Sequence, residues 1–264
     1  MMMRPEMVYQ YPIWAVGISL AIIAVAGTML LEFAMRRLVS PAVRRQHNEI
    51  AAAIFSIIGV TYAVLLAFVA TLAWDGFNKA KAATYTEAVQ VMDVLAVVSN
   101  FSEPTRSSLI GDLNHYVATV IATEWPAQAD GRVVRAADIY IAALNQLVAD
   151  LKPISQTDTN NHMLLEQALM RLRDARQDRL LAADTTIPAI VWFVLIVGGA
   201  VTIAFASFLG SPSLPMHLSM CSLLAVSGVL VLVLVIALSN PFRGDFRIST
   251  APFDYVRAQI AGSG

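Results

Sequence analysis

The chain has 264 residues, of which 57% are hydrophobic and only 14% charged, and its mean hydropathy is +0.63. Soluble domains carry roughly a quarter charged residues, so this composition excludes a freely soluble globule and implies an integral membrane protein. The near-balance of 18 Lys+Arg against 19 Asp+Glu offers no basic surface for nucleic acid, and the single cysteine, Cys221, excludes an intrachain disulfide or a cysteine-rich zinc site.

The first apolar stretch, residues 13–35, follows a short tail containing Arg4 and is introduced by Tyr9, Tyr11, Pro12 and Trp14, an aromatic group suited to a membrane interface. It is long enough to span and ends at Arg36-Arg37 without a small-residue cleavage site, so it reads as a retained span rather than a signal peptide. Glu32, its one ionisable residue, lies one turn before Arg36; an i, i+4 pair reaching toward the lipid boundary is the expected arrangement. The connector to residue 49 is short and basic, with Arg36, Arg37, Arg44, Arg45 and His47, and Pro41 provides its turn.

Residues 50–74 form the second span, without a formal charge. At about 1.5 Å per residue the stretch reaches roughly 37 Å, more than a hydrocarbon core requires. Its helical pattern continues to about residue 101, where Lys79, Lys81, Glu87 and Asp93 interleave with apolar positions, so one rod carries the span into a water-exposed region. At helical period Thr61, Leu65, Phe68, Thr71 and Asp75 share one side and are the candidate pore-facing residues, while Gly59, Ala63, Ala67 and Ala70 offer a small-residue side for close packing. The competing reading has the Thr61 and Thr71 hydroxyls bonding back to their own helix and Phe68 packed in its bundle.

Residues 102–186 read as a helical extramembrane bundle: a helix from about 103 to 123 ended by Trp125-Pro126, another following Asp130-Gly131, a polar turn over 155–161, and a helix from about 161 to 184 carrying Arg171, Arg173, Arg176 and Arg179 among Asp174 and Asp178. Pro188 opens a third span, and the uncharged six-residue connector at 210–215 forces the fourth to return antiparallel, so 187–239 form a membrane hairpin. Residues 240–264 form an amphipathic tail whose apolar face is Phe246, Ile248, Phe253, Val256 and Ile260, suited to the membrane surface or to the bundle. The expected fold is all-α, with four spans and a helical domain inserted between spans two and three.

Phosphate loops, H-E-x-x-H and G-x-S-x-G are absent, and the four histidines are scattered, so neither an enzyme, a metal site nor a cofactor site is expected. Spans two to four lack the mid-membrane carboxylates of ion-coupled transporters. A passive pore with an apolar constriction needs no such charges, but four spans are too few to enclose one, so a pore requires an oligomer.

Near the carboxyl end, Asn240-Pro241-Phe242-Arg243-Gly244 leads through Arg247-Ile248-Ser249 to Ala251-Pro252-Phe253. This resembles the P-F-x-G-x-x-x-I-S-x-x-P signature of the bacterial bestrophin-like family, with Pro241, Phe242, Gly244 and Pro252 as its structural residues. His47-Asn48-Glu49, Trp125-Pro126, the Arg176 and Arg179 helix, and Ile187-Pro188 with Trp192 agree in order along the chain. The resemblance implies a homo-oligomer, a pentamer by analogy with bestrophin anion channels, in the lipid bilayer of the bacterial inner membrane. It further implies conduction of small inorganic ions, anions by that analogy, along a narrow apolar neck on the second helix, where Phe55 and Phe68 lie. The bestrophin calcium-clasp acidic cluster is not apparent. The basic first connector argues for an external bundle; the other basic flanks and the resemblance argue for a cytoplasmic one, which is the favoured expectation. The alternative function is a membrane-anchored helical interaction or sensing protein that does not conduct.

Overall fold

The computed structural model describes Tyr9 and residues 11–263; the stretch with Arg4 lies outside the described residues. Those residues form helices and no strand. The helices are α1 (Ile13–Leu38), α2 (Pro41–Gln46), α3 (Asn48–Val98), α4 (Thr105–Thr119), α5 (Trp125–Ala129), α6 (Asp138–Asp150), α7 (Gln156–Asp184), α8 (Ala189–Ala206), α9 (Leu214–Leu238) and α10 (Ala251–Ser263). Four helical runs are long and apolar enough to cross a membrane: Ile13–Leu38, Asn48–Val98, Gln156–Ala206 and Leu214–Leu238. In the third of these, α7 holds the charges and α8 supplies the apolar part.

The described chain divides into two compact units. The first holds the residues up to Asp75 together with Thr186–Ser239. In it α1 lies against α9, and Tyr9 ties the two ends by bonding the Ile236 carbonyl at 3.2 Å and Ser239 Oγ at 3.0 Å. Arg36 and Arg37 occupy the last turn of α1, where cations favour the helix dipole. Ser40 and Pro41 then start α2, the Ser40 hydroxyl accepting from the Val43 amide. Within this unit the small-residue side of α3 makes no close contact at Gly59, since nothing lies within 4 Å of a Cβ built there. Tyr62 makes one instead. Its ring seats against Gly198 and Gly199, where added Cβ atoms would come within 2.8 Å, and its hydroxyl donates to the Leu195 carbonyl at 2.9 Å.

The second unit holds Gly76–Thr185 and the residues from Asn240 onward. Its core combines Val91, Val94 and Val98 of α3, Leu109, Leu113 and Tyr116 of α4, Leu144 of α6, Leu165, Leu169 and Leu172 of α7, and Phe253, Val256 and Ile260 of α10. The tail face of α10 therefore packs on the bundle, although Phe246 stays exposed.

Three local expectations are corrected here. The α4 helix is not ended by Trp125-Pro126. Residues Val120–Glu124 form a π-turn, and helix resumes through Pro126 to Ala129. A proline ring clashes with the carbonyl four residues back, and one wider turn relieves that clash, so the chain passes through rather than stopping. Residues 155–161 are not a turn: Ser155 accepts from the Asp158 amide at 3.1 Å while Asp158 accepts from the Ser155 amide at 2.9 Å, a reciprocal cap that starts α7 at Gln156. Helix α6 begins only at Asp138, seven residues past Gly131, which turns at φ +79° with the Arg243 guanidinium 2.6 Å from where a Cβ would stand.

Candidate functional site

The predicted pore-facing residues sort by burial along α3. Leu66, Val69 and Ala73 are buried, whereas Thr61, Phe68, Thr71 and Asp75 are exposed and Leu65 is half-buried. Phe68 is 67% exposed, so a bulky aromatic stands free of its own unit. Thr61 and Thr71 donate to the carbonyls of Ile57 and Ala67 at 2.8 and 2.9 Å, which satisfies their hydroxyls within the helix. This outward face is apolar for several turns and ends in one carboxylate.

The family-signature residues build a corner in the second unit. Phe242 and Phe253 pack edge-on to Trp125, with ring centroids 5.4 and 5.7 Å away. Gly244 turns the chain at φ +71°, a conformation side chains resist. The Pro241 carbonyl then accepts from the Ile248 amide at 2.8 Å, and the Ile248 carbonyl accepts from Trp125 Nε1 at 3.1 Å. Pro252 stands second in α10, where its missing N–H costs nothing.

Behind that corner lies a buried charge network. Arg179 Nε donates to Glu87 at 2.5 Å and Nη2 to Glu124 at 2.9 Å; Arg176 donates to Glu124 at 2.6 and 2.9 Å and to Asp138 at 2.8 Å. Tyr116 donates to Glu87 at 2.5 Å, and the Ala137 amide donates to Glu124 at 2.9 Å. The two guanidinium groups also stack on rings, Arg176 over Tyr116 and Arg179 over Trp125 and Phe253. Burial pushes the Tyr116 phenol well above its ordinary range, with the Glu87 charge adding to it, so Tyr116 remains a donor. For Glu124 burial is the largest influence and acts to raise the pKa; the Arg176 hydrogen bonds and charge, the Ala137 amide and the Arg179 charge outweigh it, and the net shift is downward.

That shift has a pH consequence. Because the folded-state pKa of Glu124 lies below the unfolded value of about 4.3, its stabilising contribution is complete above that value. It is lost as pH falls through the lower folded-state pKa. The unfolding midpoint should hold from pH 7 down to about 4.3 and decline below it, with a shallower decline in Glu124→Gln; thermal unfolding across that pH series checks this.

The first unit has its own buried cluster, and here an expectation fails. Glu32 is not a boundary pair with Arg36 alone; it is fully buried. It accepts from Arg36 Nε at 2.9 Å, from Arg44 Nη2 at 3.1 Å and Nη1 at 3.2 Å, and stands 3.2 Å from His217 Nε2. Arg44 Nη1 also donates to the Ser207 carbonyl at 2.7 Å, and the Cys221 thiol lies 3.7 Å from His217. Three elements, α1, α2 and α9, thus meet on one carboxylate, and Arg44 ties the end of α8 to the cluster. Among the described residues no three His, Cys, Asp or Glu side chains are grouped to hold a metal ion.

Burial of Glu87, Arg176 and Arg179 is signalled by helical phase. Leu165, Leu169, Leu172 and Ala175 mark the inner face of α7, and Arg176 and Arg179 continue it; Glu87 falls between Thr84, Ala88 and Val91 on the inner face of α3.

A family model of the bestrophin-like domain matches residues 13–253. The sequence matches none of the curated proteins. Among solved structures, a bacterial bestrophin homologue from Klebsiella pneumoniae with a leucine-to-threonine mutation superposes with a TM-score of 0.72 at 12% identity, over 94% of this chain and 98% of that one. The same description, a bacterial bestrophin homologue from Klebsiella pneumoniae, fits a structure solved by zinc phasing, with a TM-score of 0.68 at 13% identity over 93% of this chain and 97% of that one. A crystal structure described as a membrane protein with a leucine-to-alanine mutation gives 0.72 at 13% identity, over 92% and 98%. At these identities the likeness is one of fold.

Proposed function

Since the chain belongs to the bestrophin-like family, we propose that it is one subunit of a homo-oligomeric ion channel, with α3 lining the conduction path and Phe68 in an apolar constriction. The observation that carries this reading is the outward face of α3, where Thr61, Phe68, Thr71 and Asp75 have no covering element within their own unit. A lone chain with four apolar helices cannot enclose a water-filled path, whereas several copies of an unpartnered helix face around one axis can. Thr61 and Thr71 keep their hydroxyls on the backbone, so the path is apolar until Asp75. The subunit sits in the bacterial inner membrane with the helical bundle in the cytoplasm, by analogy with the bestrophin fold.

Reconstituted in planar bilayers, the purified protein should conduct small inorganic ions. Phe68→Ala should raise unitary conductance severalfold, whereas Phe193→Ala on α8, which is 61% exposed, should leave it unchanged. Asp75→Asn should move the reversal potential in a salt gradient toward that of the anion. Electrical silence of well-folded oligomers, or a monomer or dimer with no shared axis, would instead favour a membrane-anchored interaction or sensing protein.

A further inference from the structure

In the first unit an open-sided groove of about 180 Å³ lies between the start of α3 and the end of α8, lined by His47, Ile50, Ala51, Ile54, Phe205 and Phe208. All but His47 are apolar, and the groove opens where the spanning helices end, at the level where acyl chains meet headgroups. The groove is built rather than incidental. Asn48 donates to the Gly210 carbonyl at 2.9 Å and accepts from the Gly210 amide at 2.7 Å, and Arg44 reaches the Ser207 carbonyl at 2.7 Å, so both walls are pinned. Gly210 permits this approach, since a Cβ there would stand 2.7 Å from the Arg45 amide nitrogen.

The rim supplies charge. Residues 36–49 hold four arginines against one acid, Glu49. Arg36 and Arg44 are turned onto Glu32, whereas Arg37 and Arg45 are exposed, as are Glu49 and His47. His47 Nδ1 lies 2.9 Å from the Val43 carbonyl, to which it donates, so the ring can give a second hydrogen bond to a phosphate through Nε2 only as the imidazolium, and the exposed arginines supply the permanent charge of the rim. An apolar slot ending in a cationic rim at a span terminus matches one amphiphile of opposite headgroup charge.

We propose that this groove binds an anionic phospholipid, one acyl chain against Ile50, Ile54, Phe205 and Phe208 and the phosphate beside His47 and the basic connector. The site needs only one chain, so it stands or falls independently of conduction.

The test is native mass spectrometry of the full-length protein released from micelles doped with phosphatidylglycerol or with phosphatidylcholine of the same chains. Phosphatidylglycerol should be retained at least tenfold better per subunit. Ala51→Trp, which fills the slot, should abolish that retention. If that variant does not fold, Ala51→Cys alkylated with a bulky maleimide after purification serves the same purpose. His47→Ala combined with Arg37→Gln should bring the two lipids toward equal retention, and glycerol phosphate, a headgroup without chains, should not compete at millimolar concentration. Equal retention of the two lipids by the natural protein, phosphatidylglycerol retention that survives the filled slot, or competition by glycerol phosphate would each overturn the proposal.

Discussion

Replacing Arg179 with methionine is expected to lower the unfolding midpoint of the purified protein by roughly 10 °C, given a few degrees per kcal/mol for a chain of this size. Arg179 is fully buried, links Glu87 to Glu124, and lies 5.5 Å over Trp125. Methionine fills much of the volume but leaves Glu87 with Tyr116 and a more distant Arg176 at 3.9 Å. Stripping one partner from a buried pair costs about 3–5 kcal/mol, because the remaining charge is uncompensated in a medium that solvates it poorly. Arg179→Lys should recover only part of the loss, since an ammonium cannot reach two carboxylates with the fixed fork of a guanidinium. Arg171→Met, at an exposed position of the same helix, should shift the midpoint by no more than about a degree or two, as expected for surface substitutions. Equal effects of Arg171→Met and Arg179→Met would remove the network from the account of stability.

Glu32→Leu is expected to be comparably severe in the first unit. It leaves Arg44, 3% exposed, with the Ser207 carbonyl as its remaining partner, and His217 facing an apolar side chain. The double variant Glu32→Leu with Arg44→Leu should be more stable than Glu32→Leu alone, because it removes the stranded cation as well as the carboxylate; a coupling of about 2 kcal/mol or more between the sites is expected for a desolvated pair. Midpoints of the natural protein, both single variants and the double variant complete the cycle. Additive losses would mean that Glu32 and Arg44 act separately.

The all-helical fold and the four spans are legible because their signals are local: long uncharged runs, Pro188 at a helix start, and a connector at 210–215 too short for anything but an antiparallel return. The buried charges are harder to see. Sorting residues by hydropathy places Arg176 and Arg179 on a solvated face, although their phase continues the leucine stripe of α7. Glu124 is masked further, since Trp125-Pro126 looks like a stop and the π-turn that accommodates it has no sequence pattern of its own. The Glu32 site escapes because i, i+4 logic supplies Arg36 and stops there. Arg44 arrives by the reversal at Ser40 and Pro41, and His217 from a helix far along the chain. The outward strip from Thr61 to Asp75 is visible as a strip from sequence, but whether it meets an axis depends on copies that one chain does not contain.

The spacing of the Glu32 partners also bears on how the protein is made. Arg36 is four residues and Arg44 twelve residues beyond Glu32, so both emerge from the ribosome almost as soon as the carboxylate does. The first hairpin therefore holds both arginine partners of its acid before any later helix is made, and His217 is translated much later. The bundle has no such advantage: Glu87 waits 92 residues for Arg179, and Glu124 waits 52 for Arg176. Vectorial synthesis thus separates the two carboxylate sites in time, with the arginine partners of Glu32 available first and the bundle network able to close only when α7 has been translated.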